Sequence, residues 1–153
     1  MKETKPMIQN NILRASSNDH PDILSIWYRS VKATHLFLTE LDIQTLYHGL
    51  KTQWLSSVEL WVIEHHQRIV GFIGFDEHKI EMLFVDEPYQ GQGFGRQLID
   101  FAKTRYDPLF LDVNEQNPAG FAFYQKQGFT LIGRSATDAQ GNPFPLMHMQ
   151  YIQ

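Results

Sequence analysis

The chain has 153 residues, with 13 Lys and Arg against 17 Asp and Glu, a formal charge of −4 and a pI of about 5.9. It has no cysteine, which excludes disulfides, thiolate catalysis and cysteine-based zinc sites. The charge balance lacks the basic excess of nucleic-acid binders. Because no apolar run is long enough for a membrane span or a signal peptide, we expect a cytoplasmic protein with no membrane or nucleic-acid partner.

The first half of the chain predicts a short strand, two helices and a three-stranded meander, after a polar tail at residues 1–11. Ile12 to Ala15 is typical of an extended segment. Asp19 followed by Pro21 is typical of a helix start, with Asp19 as the N-cap, and a second, weaker helix is predicted over Asp42 to Trp54. Three apolar runs with short connections then favour antiparallel strands: Leu60–Glu64, Ile69–Phe75 and Ile80–Val85.

The second half alternates helices with further strands. A helix that begins near Gly93 is stopped by Pro108. Asn117-Pro118 opens another helix, which Gly128 closes. The strands predicted here are Leu109–Val113, Phe129–Arg134 and Leu146–Ile152. The order β-α-α-β-β-β-α-β-α-β-β indicates one α+β, or mixed α/β, domain over residues 12–153.

The glycine-rich turn Y-Q-G-Q-G-F-G-R, from Tyr89 to Arg96, links a strand to a helix. It fails the P-loop pattern and the dinucleotide pattern G-x-G-x-x-G, because its glycines are spaced by two. The first amides of a helix have no intrahelical acceptor and carry the positive end of the helix dipole, so the turn predicts a pyrophosphate site. The alternative is a glycine turn that only packs tightly.

Two segments carry a family resemblance. Gln90 to Gly95 matches Q/R-x-x-G-x-G/A, and the segment N-E-Q-N-P-A-G-F-A-F-Y-Q-K-Q-G-F, Asn114 to Phe129, follows at the expected distance. Together they resemble the GCN5-related N-acetyltransferase (GNAT) family. Trp27 to Leu38 is similar to a bacterial subgroup of that family, the YjaB type. The resemblance implies a mostly antiparallel sheet of six or seven strands, about four flanking helices, and a splayed pair formed by the fourth and fifth strands.

The resemblance also implies an acetyl-CoA site. The pantetheine arm would pair with the open edge of the fourth strand, and the glycine turn would hold the pyrophosphate. The implied contacts are the backbone of Leu83, Phe84 and Val85, the turn residues Gln90, Gly91, Gln92, Gly93, Phe94, Gly95 and Arg96, and the side chain of Asn117. The pattern around Asn117 equally predicts a plain N-cap.

Three side chains are candidates for the chemistry. Tyr124 stands where the family has the acid that meets the departing thiolate, although the same pattern fits a core tyrosine. An amine acceptor is mostly protonated at neutral pH, so a base is needed. Asp112, which aligns with a glutamate base of the ribosomal-protein acetyltransferase branch, and Glu81 are the candidates. A water chain without a dedicated base is the alternative.

The acceptor side is expected in the N-terminal third. Trp27, His35 and Phe37 form a predicted aromatic cluster that could hold a cation or an apolar arm, or that packs the first helix. The histidines have no metal-ligand spacing, so no metal is predicted.

The sequence therefore predicts direct acetyl transfer from acetyl-CoA to a primary amine of a small molecule or peptide. The alternatives are a non-catalytic acyl-CoA sensor and an acetyltransferase for protein N-termini or lysines. The sequence is also compatible with a homodimer.

Overall fold

A seven-stranded mixed sheet forms the centre of the computed structural model, which describes residues 11–153. Its strands lie in the order β1-β2-β3-β4-β5-β7-β6. Only the β4–β5 pair is parallel, so the predicted mostly antiparallel sheet and its meander are confirmed. The strands are β1 Ile12–Arg14, β2 Glu59–His65, β3 Arg68–Asp76, β4 Lys79–Val85, β5 Leu109–Asn114, β6 Thr130–Ser135 and β7 Leu146–Tyr151.

Four helices flank the sheet within the described residues, as predicted. The second continues through a π-helical turn, Leu50–Trp54, into a last turn, Leu55–Ser57. The helices are α1 His20–Thr34, α2 Glu40–Gly49, α3 Phe94–Arg105 and α4 Pro118–Lys126.

Local capping explains where the first two helices begin. Asp19 precedes α1, but its carboxylate makes no cap bond to that helix and instead accepts from the amide of Ser16 at 2.9 Å. Asp19 is thus the N-cap residue of α1 with Pro21 in the first turn, as predicted, but its side chain does not cap the helix. Helix α2 begins two residues earlier than predicted, because Thr39 and Asp42 form a reciprocal capping box with bonds of 2.9 and 3.0 Å.

The sheet has two apolar faces, each covered by a different pair of helices. The front face packs against α1 and α2, with Phe72 fully buried at its centre. The back face packs against α3 and α4, where Leu98 and Phe129 are buried. Burial of such side chains contributes roughly 1.5–3 kcal/mol each, so both helix pairs are held firmly on the sheet.

A β-bulge in β4 opens the sheet. Phe75 pairs with Ile80, but the preceding Gly74 pairs with Met82, which leaves Glu81 as the extra residue. Bulges bend a strand and increase its twist. The last β4–β5 pair is Ile80 with Leu111, directly before the bulge. From Glu81 onwards β4 diverges from β5, and this divergence is the splayed pair that the family resemblance implies.

Residues 1–10 of the predicted polar tail lie outside the described residues. Within 11–153, no helix is both long enough and apolar enough to cross a membrane.

Candidate active site

The divergence of β4 and β5 leaves a cavity of about 680 Å³ that passes between the two faces of the sheet. On the front it is lined by His35 and Phe84, and on the back by Tyr124 and the start of α3 at Phe94. A molecule in this cavity can therefore be held from the back while its reacting end is reached from the front. We call the back part the cofactor side and the front part the acceptor side.

The free edge of β4 is the first part of the cofactor side. The amide of Asp86 donates to the carbonyl of Val70 at 2.8 Å, and antiparallel pairs alternate in their bonding. The backbone groups of Phe84 therefore point at β3, while those of Leu83 and Val85 point into the opening. Leu83 and Val85 therefore have backbone groups directed away from β3, whereas those of Phe84 are used in the sheet, and the pairing with a pantetheine arm stays a prediction.

The carbonyl of Val85 already has two donors. Ser30 Oγ donates to it at 3.2 Å and Gln90 Nε2 at 3.0 Å. The Gln90 side chain thus closes the glycine turn back onto the end of β4. This contact gives Gln90 a positioning role that its place in the motif did not reveal.

The glycine turn presents a row of free amides at the start of α3. Gly93 is the N-cap, in a left-handed conformation with φ of 92°, and no side chain caps the helix. The first internal acceptor of the helix is the Gly93 carbonyl, which receives the amide of Gln97. Within the described chain, no oxygen accepts from the amides between Gly91 and Arg96. These amides, from Gly91 to Arg96, could hold an anion, and we call them the cradle.

The glycines of the turn have different roles. A Cβ at Gly91 or Gly93 would stand in open space, with no atom of the described residues within 4 Å beyond its own chain neighbours, and both residues have positive φ. A Cβ at Gly95 would instead lie 3.3 Å from the Phe123 ring. Gly91 and Gly93 therefore keep the cradle open, whereas Gly95 lets α3 pack closely against α4.

Gln92 and Arg96 have no side-chain contact that reaches into the turn. Gln92 Nε2 donates to the carbonyl of Pro88, and the Arg96 side chain, 73% exposed, lies beside Asp100. Arg96 nevertheless lines the cavity, and the predicted cofactor contacts of both residues stay predictions.

Two asparagines line the cavity beside the cradle. Asn117 Oδ1 accepts from the amide of Gly120 at 3.1 Å, so Asn117 is the N-cap of α4. Its side-chain nitrogen, Nδ2, makes no hydrogen bond within residues 11–153 and is left for a ligand. Among residues 11–153, Asn114 Oδ1 is buried without a hydrogen-bond partner. A buried orphan acceptor is costly, which suggests that Asn114 receives a donor from a bound molecule.

Tyr124 faces the cavity from α4, packed edge-on against Phe123 and Phe129. Burial raises the pKa of Tyr124 to about 12. No hydrogen bond within residues 11–153 involves its hydroxyl. At neutral pH the side chain is thus a protonated phenol beside the cavity, with a hydroxyl donor that no group of the described residues uses.

The two carboxylates predicted as bases lie together on the front face, next to the bulge. Lys79 Nζ is 2.8 Å from Asp112 Oδ2 and 3.7 Å from Glu81 Oε2. Burial acts to raise the pKa of Asp112, but the hydrogen bonds from Lys79 and His148 outweigh it, and the pKa is lowered. Asp112 is therefore a weaker base than a free carboxylate.

Asp112 also begins a polar row across three strands. His148 Nδ1 lies 2.6 Å from Asp112 Oδ1, and Ser135 Oγ lies 2.6 Å from His148 Nε2. The three residues follow from the pairing of β5, β7 and β6. Sequence reasoning missed this row and Lys79, because only strand pairing brings them together.

The acceptor side includes two of the three predicted aromatic residues. His35 and Phe37 have ring centroids 5.4 Å apart, and Phe37 reaches Phe144 of the β6–β7 loop at 5.8 Å. Trp27 is only 6% exposed and packs against Tyr47 in the front core. The prediction that Trp27 binds substrate is therefore wrong, because its position on α1 faces the sheet.

An ion pair ties the acceptor side to the cofactor side. Arg29 on α1 bonds Asp86, at the end of β4, through two contacts of 3.0 and 2.9 Å. Asp86 also accepts from the amide of Glu87, which begins the turn before the cradle. Helix α1 and the glycine turn are thereby held in one arrangement.

Nowhere in residues 11–153 do three His, Asp or Glu side chains come together as a group that could hold a metal ion.

Comparison with known proteins places the chain among acetyltransferases. The family described as "Acetyltransferase (GNAT) domain" matches residues 30–151. The peptidyl-lysine N-acetyltransferase YjaB of Salmonella typhimurium is 37% identical over 142 residues, covering 92% of this chain and 97% of that protein.

Solved structures of acetyltransferases have the same fold. The solution structure of apo YjaB from Escherichia coli superposes with a TM-score of 0.85 at 34% identity, covering 92% of this chain and 96% of that one. The PaiA N-acetyltransferase of Thermoplasma acidophilum, solved with coenzyme A, shares the fold with a TM-score of 0.75 at 20% identity, over 93% and 98% of the two chains.

Proposed function

The chain belongs to the GNAT acetyltransferase family and is an acetyl-CoA-dependent N-acetyltransferase, and we propose that its acceptor is the ε-amine of a lysine in a peptide or protein. The observation that carries this proposal is the cavity through the sheet, which joins a cradle of free amides to an open front face. The names of relatives that match nearly the whole chain support the acceptor class.

The cofactor side fits acetyl-CoA on three counts. The open cradle at Gly91 and Gly93 offers its amides to the pyrophosphate, and the adjacent helix dipole favours negative charge. The free β4 edge at Leu83 and Val85 can pair with the amides of the pantetheine arm, as an added strand would. The orphan oxygen of Asn114 can accept from the same arm.

The thioester is then activated by hydrogen bonds. An outward amide of β4, at Leu83 or Val85, meets the carbonyl oxygen as it becomes an oxyanion. Tyr124 meets the departing sulfur. With a pKa of about 12, against about 8.5 for an ordinary thiol, full proton transfer to the thiolate would be uphill by about 5 kcal/mol. Tyr124 therefore stabilises the thiolate as a hydrogen-bond donor.

The acceptor lysine approaches the front face. Asp112 and Glu81 line the cavity there and carry negative charge that attracts an ammonium group. Lys79 offsets part of this charge in the absence of acceptor. The two carboxylates are proposed as the acceptor's electrostatic guide.

A transfer assay tests the proposed acceptor. Purified protein and acetyl-CoA are incubated with three matched substrates: a lysine peptide with a blocked N-terminus, a lysine-free peptide with a free N-terminus, and a small polyamine. Free thiol and product mass are both measured. We expect turnover with the lysine peptide at least about tenfold faster than with the others. Faster transfer to the free N-terminus or the polyamine would refute the acceptor class.

The same assay separates catalysis from sensing. A sensor would bind acetyl-CoA tightly and release no thiol above the hydrolysis background with any amine. A homodimer and a cytoplasmic location stay predictions.

A further inference from the structure

His35 lies at the point where the acceptor side meets the cavity. It follows the last residue of α1 and lines the cavity together with Ser30 and Thr34. Its ring contacts Phe37 and Phe84, with centroids 5.4 and 6.3 Å away. The imidazole is therefore held between two aromatic rings at the front of the opening.

A hydrogen-bond relay determines which nitrogen of His35 carries the proton. Thr34 Oγ1 is 2.7 Å from the Ser30 carbonyl and 2.8 Å from His35 Nδ1. A carbonyl can only accept, so the single hydroxyl proton of Thr34 goes to Ser30. The Thr34 oxygen must then accept from His35, and the proton lies on Nδ1.

This assignment leaves Nε2 as a bare acceptor. No hydrogen bond in the described part of the chain uses Nε2. The atom is also not fully buried, so part of its surface is accessible. Since His35 lines the cavity, a bound molecule can reach this nitrogen.

The environment of His35 keeps the imidazole neutral. Burial lowers the pKa of His35, because desolvation penalises the imidazolium. The groups packed on the ring are the Phe37 and Phe84 side chains and the Thr34 hydroxyl. The ionisable groups that line the same cavity are Glu81, Asp112, Arg96, Tyr89 and Tyr124.

The carboxylates are less suited to accept a proton. Asp112 is held by Lys79 and His148, and Glu81 lies beside the same lysine. Among the described residues His35 has no such cationic partner, and an ordinary imidazole is a stronger base than an ordinary carboxylate.

We propose that His35 Nε2 is the general base that takes the proton from the acceptor nitrogen during acetyl transfer. This inference rests on the proposed transferase function of the cavity and assigns a catalytic residue to it. Thr34 acts through His35, as a positioning residue that fixes the tautomer.

The neutral amine attacks the thioester carbon, forming a C–N bond and an oxyanion, and its nitrogen becomes positively charged. Bonded to that carbon, the nitrogen is far more acidic than an alkyl ammonium and gives a proton to His35 Nε2. The C–S bond then breaks, the thiolate leaves beside Tyr124, and the imidazolium releases its proton to solvent or to the thiolate. The products are the N-acetyl amide and free CoA.

The pH profile of the wild-type enzyme gives the first test. An alkyl amine with a pKa near 10 makes log(kcat/KM) rise with a slope of about one through neutral pH. The pKa of His35 is lower than that of a free imidazole. Below it, both the amine and His35 must lose a proton before the reaction, so the slope becomes about two. A slope that stays at one over the whole acidic range in which the protein stays folded would overturn the proposal, and this result needs no mutant to fold.

Substitution gives the second test. We expect His35→Gln to lower kcat about 100-fold, leave the acetyl-CoA Kd within about twofold, and abolish the steep acidic slope. Thr34→Val should lower kcat several-fold and keep that slope. His66→Asn is the matched control, since it removes an exposed imidazole at a positive-φ turn position that asparagine tolerates.

A His35→Gln enzyme with kcat within threefold of wild type, or with the slope change retained, would refute the role of His35. Failure of the proposed acceptor is a separate result. If the enzyme prefers another amine over lysine peptides, the same profile and variants are measured with that amine, and they still decide whether His35 is the base.

Discussion

The two sides of the cavity are built in different ways. On the cofactor side, the groups offered to a ligand are mainly backbone: the amides of Gly91 and Gly93 and the open edge of β4. On the acceptor side they are side chains from separate segments, such as His35 and Asp112. A backbone site needs only glycine and a helix start, so a short motif can encode it. A side-chain site depends on tertiary contacts that vary between chains of one fold.

The largest effect should come from closing the backbone cradle. Gly93→Val places a branched side chain in the open space above the amides, at a left-handed φ of 92°. We expect the acetyl-CoA Kd to rise at least about 100-fold, or about 3 kcal/mol, as measured by calorimetry. Gly141→Val is the matched control, because Gly141 also has open space and a φ of 83° but lies in the β6–β7 loop. Equal losses in both variants would show that backbone strain, and not the cradle, is responsible.

The next effect concerns Tyr124, the group that meets the departing sulfur. We expect Tyr124→Phe to lower kcat by about 30-fold, the cost of one hydrogen bond to a charged sulfur of about 2 kcal/mol, with little change in acetyl-CoA Kd. Because burial raises the pKa of Tyr124 to about 12, its deprotonation should cause no loss of rate below pH 10. An alkaline loss near pH 9 that disappears in Tyr124→Phe would instead indicate a true proton donor. Tyr151→Phe, on β7, is the control.

The smallest effect tests the electrostatics of the acceptor side. Lys79→Met leaves Asp112 and Glu81 without their shared cation, so a lysine peptide should bind more tightly, with KM about threefold lower at low salt. The decrease in KM should be smaller in 0.5 M salt, because salt screens the attraction between the carboxylates and the lysine. Lys51→Met makes the same change in net charge on the π-helical turn, outside the cavity. An unchanged or higher KM in Lys79→Met would show that the acceptor does not use these carboxylates.

The sequence predicted the elements well where local chemistry decides them. Apolar runs and turn residues indicated the strands, and Asn117-Pro118 with Gly128 indicated α4, which the structure confirms. Asp19 was predicted correctly as the N-cap residue of α1, but its carboxylate bonds the amide of Ser16 in the preceding turn, which the pattern did not reveal. The bulge at Glu81 was not visible, because only the pairing with β3 shows that β4 carries an extra residue.

Candidate side chains were harder to predict than the backbone site. Trp27 and His35 both belong to an aromatic stretch, yet one faces the front core and the other the cavity. The difference follows from where α1 ends, since Trp27 lies on its buried face and His35 lies just past its last turn. The sequence likewise named Asp112 without revealing that Lys79 and His148 occupy it.

By itself, the sequence determined the family, the order of helices and strands, and the place of the glycine cradle, because these depend on residues close together in the chain. The tertiary structure decided which β4 amides are free, which carboxylates are paired and which nitrogen of His35 is unprotonated. Each of those outcomes depends on contacts between distant segments or on hydrogen-bond direction, and neither can be read from spacing along the chain.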